Sequence, residues 1–181
     1  MGSVFSSLFS KLFSKEDEFK ILLLGLQNSG KTTILYRLAL GEVVVTQPTI
    51  GSNVEEVSSK NVKLQVWDLG GQENLRSAWD SYYSNTNGVI YVVDSSDDSN
   101  ALVSQLEFFN LIMNPGLKGA PILIFANKFD LEGGKSKLEI SEHLKLHEIK
   151  EHEWNIQECC ALTGEGLEEG IEWLTKKLEG E

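Results

Sequence analysis

The segment FKILLLGLQNSGKT, at residues 19–32, constrains the fold of this 181-residue chain more than any other. Residues 25–32 match the pattern G-x-x-x-x-G-K-[ST], and an apolar run comes directly before them. This pattern binds phosphate where a buried strand leads into a helix, because backbone N–H groups and the positive end of the helix then surround the anion. We therefore predict a strand over 19–25, a helix over 31–40 and a phosphate-binding loop between them.

Each residue of this loop has an expected contact. Gly25 and Gly30 let the backbone wrap a phosphate, and the Lys31 ammonium reaches the β- and γ-phosphates. The Thr32 hydroxyl binds Mg²⁺, and Thr33 donates to a further phosphate oxygen. The predicted nucleotide contacts also include the four residues inside the loop: Leu26, Gln27, Asn28 and Ser29. A glycine-rich turn that matches by chance is the alternative, and the position between a strand and a helix disfavours it.

Strand-like and helix-like segments alternate over the rest of the chain. The patterns predict a hairpin at 52–68 that turns at 59–61, further strands at 88–94, 120–128 and 154–159, and helices near 74–83, 99–113, 137–145 and 167–178. This order is typical of an α/β fold with a doubly wound, mostly parallel six-stranded sheet and one antiparallel edge hairpin. We expect one domain over 18–181, preceded by an N-terminal amphipathic helix over 1–17.

A second motif, WDLGG at 67–71, ends the predicted hairpin. A carboxylate at Asp68 can hold Mg²⁺ through a water molecule, as in P-loop nucleotide hydrolases. Because Gly71 has no side chain, its N–H can approach a γ-phosphate closely. An aspartate that only caps a strand end is the alternative, and the phosphate-binding loop upstream favours the metal site.

A third motif, NKFD, follows an apolar strand and predicts selectivity for guanine. The Asp130 carboxylate can accept hydrogen bonds from guanine N1–H and the exocyclic amine, whereas adenine N1 is an acceptor and would leave the charge unpaired. Asn127 is expected to connect this loop to the phosphate-binding loop, and the Lys128 stem to lie on the base. In the later segment CCALTG, Cys160 and Ala161 would adjoin the base, with the Ala161 N–H donating to the guanine carbonyl. A polar turn is the alternative.

Two loops that flank the hairpin carry candidate catalytic residues. Thr49, in QPTIG, could complete the Mg²⁺ shell only when a γ-phosphate is present, and the Gln72 amide, in GGQE, could orient an attacking water. Together with Lys31 they form the predicted catalytic set. Loops held by a γ-phosphate and released after hydrolysis form a two-state element. Solvated loop residues are the alternative at Thr49 and Gln72.

Composition limits the partners and the compartment. The formal net charge of −11, from 16 basic and 27 acidic residues, argues against binding to nucleic acid. The two cysteines are adjacent, at 159 and 160, which favours a reducing compartment. The sequence has no apolar run close to the ~18 residues of a membrane span. We expect a cytoplasmic monomer that binds a guanine nucleotide with Mg²⁺.

The opening segment MGSVFSSLFSKLFSK predicts contact with a membrane surface. Its apolar side chains share one helical face: Phe5, Leu8, Phe9, Leu12 and Phe13. MGSVFS matches the myristoylation pattern M-G-x-x-x-[ST], which makes Gly2 the candidate acceptor. One myristoyl chain binds membranes only marginally, at about 10⁴ M⁻¹, so the apolar face would supply the second anchor. The alternative is an ordinary helix of the protein core. We favour a mixed account, in which the apolar face is buried against the protein part of the time and in lipid otherwise.

The motifs GLxxxGKTT, PTIG, WDxGGQE, NKxD and CAxTGEG, in this order over the whole chain, resemble the Arf and Arf-like branch of the Ras superfamily. Residues 48–57 and 65–86 are similar to the Arf-like protein 5 subgroup in particular. The resemblance implies the P-loop fold of small G proteins and a GTP/GDP-cycling membrane switch in vesicle trafficking, at the Golgi or trans-Golgi network. It also implies an exchange factor, an activating protein, and effectors that bind a switch surface: Ile50, Trp67, Leu75, Trp79 and Tyr82.

The resemblance further implies how nucleotide state controls the membrane anchor. In this family the helix that follows an acylated Gly2 lies in a groove of the GDP-bound protein, and the hairpin slides by two residues to displace it in the GTP-bound protein. A two-residue slide keeps inward side chains facing inward, since strand side chains alternate with period two. Three residues depart from the family pattern: Gln27 stands for aspartate, Ser52 for phenylalanine and Phe129 for glutamine.

Two other functions stay open at this point. A nucleotide-binding scaffold with negligible hydrolysis would share every binding motif, and only Gln72 argues against it. A P-loop kinase or ATPase would need an adenine site, which NKFD disfavours. Because no built-in arginine finger is evident, we expect slow hydrolysis that an activating protein accelerates.

Overall fold

The structure, a computed structural model, describes residues 17–59 and 62–180. Residues 1–16 of the predicted amphipathic helix, with Gly2 and the apolar face, lie outside these ranges, as does the tip of the hairpin at 60–61; residue 17 is the first residue of a strand. Within the described ranges, no helix is long and apolar enough to cross a membrane.

The described strands form one mixed sheet in the order β2-β3-β1-β4-β5-β6. Their bounds are β1 (Asp17–Gly25), β2 (Ser52–Ser59), β3 (Val62–Leu69), β4 (Gly88–Asp94), β5 (Ile122–Asn127) and β6 (Trp154–Cys159). β2 pairs with β3 in antiparallel orientation, and the other neighbouring pairs are parallel. The predicted doubly wound sheet with one antiparallel edge hairpin is therefore confirmed.

Helices cover both faces of the sheet. In the described residues they are α1 (Lys31–Leu40), α2 (Glu73–Arg76), α3 (Ala101–Ile112), α4 (Lys137–His143) and α5 (Leu167–Glu179). The helix predicted over 74–83 is wrong as one element, because the short α2 is followed by a 3₁₀ turn at Trp79–Tyr82. The chain tightens there as Trp79 turns into the core, where its indole N–H donates to the Gly70 carbonyl at 3.1 Å.

The inner strands are buried on both faces, as parallel strands covered by helices must be. Alternate residues of β1 enter opposite core clusters: Leu22 and Leu24 pack with Tyr91, whereas Ile21 and Leu23 pack on the other face. Both clusters hold the strands rigidly. Their carboxyl ends bring several loops to one edge of the sheet, where ligands bind in open α/β folds.

One buried histidine connects the end of α3 to the start of β5. The His152 ring nitrogens lie 2.9 Å from the Ala120 carbonyl oxygen and 3.0 Å from the Ile112 carbonyl oxygen. His152 is 7% exposed, so water cannot readily replace it. The imidazole therefore fixes the spacing of two elements that bound the core below the sheet edge.

We predict that His152→Ala lowers the free energy of unfolding by about 2–4 kcal/mol, because it leaves a cavity and removes the ring N–H that donates to one of the two carbonyl groups. Urea unfolding at a fixed nucleotide concentration measures the change, since bound ligand shifts apparent stability. The control is His147→Ala, at a histidine that is 70% exposed, for which we expect a change within about 0.5 kcal/mol. Equal stability of the two variants would contradict the assigned role.

Candidate functional site

The phosphate-binding loop has the backbone that its sequence requires. Gly25 has φ +145° and Gly30 has φ +98°, and both values favour glycine. A Cβ on Gly25 would lie 2.3 Å from the Val92 carbonyl oxygen, and one on Gly30 would lie 2.3 Å from the Asn127 amide nitrogen. The loop can therefore close tightly on the sheet edge only with glycine at these two positions.

A cavity of about 530 Å³ lies over this loop, within the usual range of ligand pockets. Most of the residues predicted for the phosphate end line it: Gln27, Asn28, Gly30, Lys31, Thr32, Thr33, Thr49, Gly71 and Gln72. Lys128, which was predicted for the base, lines it as well. Sequence reasoning missed three further lining residues, Thr46, Gln47 and Pro48, which lie directly before Thr49. The loops on both sides of the hairpin thus reach the same cavity as the phosphate-binding loop.

The Lys31 ammonium provides the buried positive charge of the cavity. Its Nζ donates to the Leu26 carbonyl at 2.9 Å, and the residue is buried. Burial lowers the pKa of Lys31 to about 8, against the opposing effect of the Asp68 carboxylate. A phosphate group beside Lys31 would favour the charged form, so anion binding and protonation are linked.

Three oxygen-bearing side chains converge where Mg²⁺ is predicted. Thr32 Oγ1 donates to Asp68 Oδ2 at 2.5 Å, Thr49 Oγ1 donates to the same oxygen at 3.1 Å, and the two hydroxyl oxygens are 3.0 Å apart. Neighbouring ligands in an octahedral Mg²⁺ shell lie about 2.9 Å apart, since each metal–oxygen bond is about 2.0–2.1 Å. The spacing of the two hydroxyls fits that shell.

The carboxylate of Asp68 also has the properties of a cation ligand. Burial raises its pKa, and the hydrogen bonds from Thr32 and Thr49 and the Lys31 charge oppose this. Its Oδ1 atom is buried and has no hydrogen-bond partner within the described residues. An unpaired buried carboxylate oxygen is costly, and a cation or a metal-bound water would satisfy it. The described part of the chain contains no cluster of three or more His, Cys, Asp or Glu side chains that could hold a metal ion instead.

The loop after β5 is fixed to the phosphate-binding loop. Asn127 is buried, and its Nδ2 donates to the Ser29 carbonyl at 2.8 Å. Lys128 has φ +63°, and its Nζ donates to the Asn28 carbonyl at 2.7 Å. The same ammonium pairs with Asp94 Oδ2 at 2.5 Å. Asp94 has no role in the sequence prediction, although its position at the end of an apolar strand was a usable signal.

The base end of the site is more open than the phosphate end. Asp130 is exposed, and its charge contributes to the raised pKa of the buried Cys159 thiol, which places the carboxylate near the loop after β6. Cys160 and Ala161 are buried in that loop. The sequence assigns the Ala161 N–H to the guanine carbonyl, but in the structure it donates to Asn127 Oδ1 at 3.0 Å. In this geometry Ala161 orients Asn127.

The predicted partner surface is only partly exposed. Ile50 is 85% exposed, and the Trp67 and Tyr82 rings pack against each other with centroids 6.0 Å apart. Leu75 is half-buried. Trp79, in contrast, is 3% exposed, so its assignment to a partner surface is corrected: it is a core residue that holds the Gly70 carbonyl.

Comparisons with known proteins agree with the geometry of the site. Residues 5–178 match the ADP-ribosylation factor family. The chain is 50% identical to ADP-ribosylation factor-like protein 5A of Bos taurus over 99% of both chains. It is 52% identical to ADP-ribosylation factor 3 of Arabidopsis thaliana, over 99% of this chain and 98% of that one. It is thus about as similar to an ADP-ribosylation factor as to an Arf-like protein 5A.

A solved structure gives the same result for the fold. The Arl6 BBS3 small GTPase of Trypanosoma brucei, with the bound nucleotide analogue GppNp, superposes with a TM-score of 0.83 at 34% identity. The superposition covers 90% of this chain and 98% of that chain. The likeness therefore extends over most of both chains.

The pKa of Lys31 predicts that nucleotide binding weakens as pH rises above about 8. Below that pH the free protein already carries the charge that phosphate needs. Above it, binding must take up a proton, and the affinity falls by up to about tenfold per pH unit. Calorimetric titration of GDP in buffers of different ionisation enthalpy counts the protons taken up.

The control for this titration is Lys31→Arg, whose guanidinium stays charged throughout the range. It should bind GDP more weakly but without proton uptake. Wild-type protein that takes up no proton above about pH 8 would contradict the depressed pKa.

Proposed function

The chain belongs to the ADP-ribosylation factor family, and from that premise we propose that it is a magnesium-dependent guanine-nucleotide switch that recruits effectors to membranes in vesicle trafficking. Members of this family hydrolyse GTP, so the chain is a GTPase that binds GTP and GDP. The finer parts of the proposal concern the metal ion, the residues that act, the partners and the membrane. The contact of Thr49 with Thr32 and Asp68 is the main support for the metal site and the switch, because it connects a loop of the hairpin region to the phosphate end of the site.

In this proposal the phosphates are bound mainly by the backbone. The N–H groups of residues 25–30 and the amino end of α1 would surround the anion, and Lys31 would add a buried positive charge. Thr32 and Thr49 would hold Mg²⁺ directly, and Asp68 would hold it through water. The ion neutralises charge that develops on the β- and γ-phosphates. The unpaired Asp68 Oδ1 and the 3.0 Å hydroxyl spacing support this arrangement.

Selectivity for guanine would come from Asp130. Its carboxylate accepts from N1–H and the exocyclic amine of guanine, two donors that adenine does not offer at the same positions. Asn127 and Lys128 position this loop through their hydrogen bonds to the phosphate-binding loop. Such discrimination against ATP would also exclude the kinase or ATPase alternative.

The switch would depend on the terminal phosphate. In the structure Thr49 lies against Thr32 and Asp68, the position that we expect for the phosphate-bound protein. The loop continues directly into β2, an edge strand in which only Val57 is fully buried. Loss of the γ-phosphate would remove a contact that holds this loop, and the hairpin could then move.

Hydrolysis would use Gln72 to orient the attacking water, and it needs help from a partner. The sequence contains two arginines, and both are engaged elsewhere. Arg37 donates to the Thr163 carbonyl at 2.6 Å, and Arg76 pairs with Glu107 at 2.6 Å. Neither lines the cavity. An activating protein that supplies an arginine could accelerate hydrolysis by about 10³–10⁵-fold.

Membrane recruitment rests on residues outside the described ranges. Acylated Gly2 and the apolar face formed by Phe5, Leu8, Phe9, Leu12 and Phe13 would anchor the GTP-bound protein. An exchange factor would load GTP, and effectors would bind near Ile50, Trp67, Leu75 and Tyr82. The Golgi or trans-Golgi network is our proposed location, supported by similarity to the Arf-like protein 5 subgroup.

We predict that Gln72→Leu traps the GTP-bound form. Single-turnover hydrolysis with an activating protein of this family should be at least about 100-fold slower, because the attacking water loses its orienting amide. The affinity for GDP should be unchanged. Gln157→Leu, on β6 and away from the cavity, serves as the control. Hydrolysis by Gln72→Leu at the wild-type rate would exclude the role and favour the scaffold alternative.

We also predict that only the lipidated, GTP-bound protein floats with vesicles. Myristoylated wild-type protein, Gly2→Ala and Phe9→Ser would each be loaded with GDP or a non-hydrolysable GTP analogue and mixed with phosphatidylcholine vesicles. Each substitution removes one of two weak anchors, so flotation should fall to the GDP level. Flotation of Gly2→Ala equal to that of the lipidated protein would contradict the lipid anchor, and equal flotation in both nucleotide states would contradict the switch.

A further inference from the structure

Gly70 and Gly71 together form a junction of three parts of the site. The Gly70 N–H donates to the Gly51 carbonyl at 3.1 Å, and the Gln27 N–H donates to the Gly71 carbonyl at 3.0 Å. On the remaining side, the Trp79 indole N–H donates to the Gly70 carbonyl at 3.1 Å. The loop before β2, the phosphate-binding loop and the 3₁₀ turn after α2 therefore all hold the same two residues.

The contact from Trp79 has a geometric consequence for the next N–H. A trans peptide unit is planar, and its C=O and N–H point in opposite directions. Because the indole holds the Gly70 carbonyl on the core side, the Gly71 N–H of the same peptide unit must point away from the core. Trp79 is 3% exposed and cannot easily shift, so this direction is fixed by packing.

Gly71 lies beside the Lys31 ammonium, where a phosphate is expected. A Cβ on Gly71 would be 2.6 Å from the Lys31 Nζ and 2.5 Å from the Gly25 carbonyl oxygen, so this residue lies directly against the phosphate-binding loop. Gly71 is buried, yet within the described residues its N–H donates no hydrogen bond. A buried donor without a partner is costly, and an anion beside Lys31 would satisfy it.

We propose that Trp79 is a positioning residue for recognition of the terminal phosphate: its indole N–H orients the Gly70–Gly71 peptide so that the Gly71 N–H points at the γ-phosphate. This inference rests on the proposed switch, and in it Trp79 is the core residue that makes the switch sensitive to the third phosphate. GDP lacks the group that this N–H would contact. The indole therefore favours GTP over GDP without touching either nucleotide.

Two variants separate the hydrogen bond from the packing of the ring. Trp79→Phe removes the N–H and part of the ring, whereas replacement of Trp79 by 3-benzothienylalanine removes only the N–H and keeps the shape. Dissociation constants for GDP and for a non-hydrolysable GTP analogue would be measured with Mg²⁺ for the full chain. Trp173→Phe on α5, in the other core cluster, is the matched control.

We expect both Trp79 variants to bind the GTP analogue about tenfold more weakly and GDP with less than about a twofold change. The ratio of GDP affinity to GTP-analogue affinity should therefore rise about tenfold over the wild-type ratio in the Trp79 variants, and it should stay at the wild-type value in Trp173→Phe. An equal loss for both nucleotides would mean that Trp79 only supports the fold, and no loss for either would mean that its N–H does not matter. Either result would overturn the proposal. If Trp79→Phe does not fold, the affinities of the benzothienylalanine variant alone give the answer.

The wild-type protein in the same assay tests the proposed function separately. A wild-type chain that bound ATP as tightly as GTP, or bound guanine nucleotides without any effect of Mg²⁺, would overturn the magnesium-dependent guanine switch itself. If the wild-type chain passes both tests and the Trp79 variants bind both nucleotides as the wild type does, only the role of the indole is overturned and the proposed function stands.

Discussion

The buried amide of Asn127 fixes the two ends of the site relative to each other. Its Nδ2 donates to the phosphate-binding loop at Ser29, and its Oδ1 accepts from Ala161 in the loop after β6. Asn127 also pairs in the sheet with Asp94 on one side and Cys159 on the other. A buried amide must keep its partners, because an unsatisfied polar group costs more than the bond contributes. The loops after three strands therefore move as one body, and the phosphate and base ends keep a constant separation.

This rigid edge explains how a chain with a net charge of −11 can bind a polyanion. The phosphates would be met by fixed backbone N–H groups and one lysine, whose pKa of about 8 reflects how little water surrounds it. Backbone dipoles act over a few ångströms, so the site needs no basic surface that would attract nucleic acid. The acidic surface and the phosphate site are compatible because they act over different distances.

The helices and strands and the central residues of the site can be predicted from local sequence, whereas several contacts between distant residues cannot. Alternation and strand length predict the sheet, and Lys31, Thr32 and Asp68 follow from motifs whose spacing fixes their place at strand ends. The direction of a side chain across the fold is not coded locally: an aromatic residue such as Trp79, in a segment with helical spacing, could face a partner or the core. The Ala161 N–H was assigned to the base because the sequence does not show that the Asn127 side chain lies within hydrogen-bond distance of it.

The coupling between nucleotide and hairpin depends on where the sheet is least constrained. β2 is an edge strand with one neighbour and a single fully buried residue, Val57, whereas alternate residues of β3 are buried at Val62, Leu64 and Val66. A two-residue slide of the hairpin against β1 would preserve that alternation and keep the bond from Gly70 to the Gly51 carbonyl, but it must break the bond from the Gln27 N–H to the Gly71 carbonyl. In the proposed switch, whatever holds Gly70 and Gly71 against the phosphate-binding loop also holds the register of β3 against β1. A γ-phosphate bound by the adjacent N–H would thus stabilise one of two hairpin positions from outside the sheet.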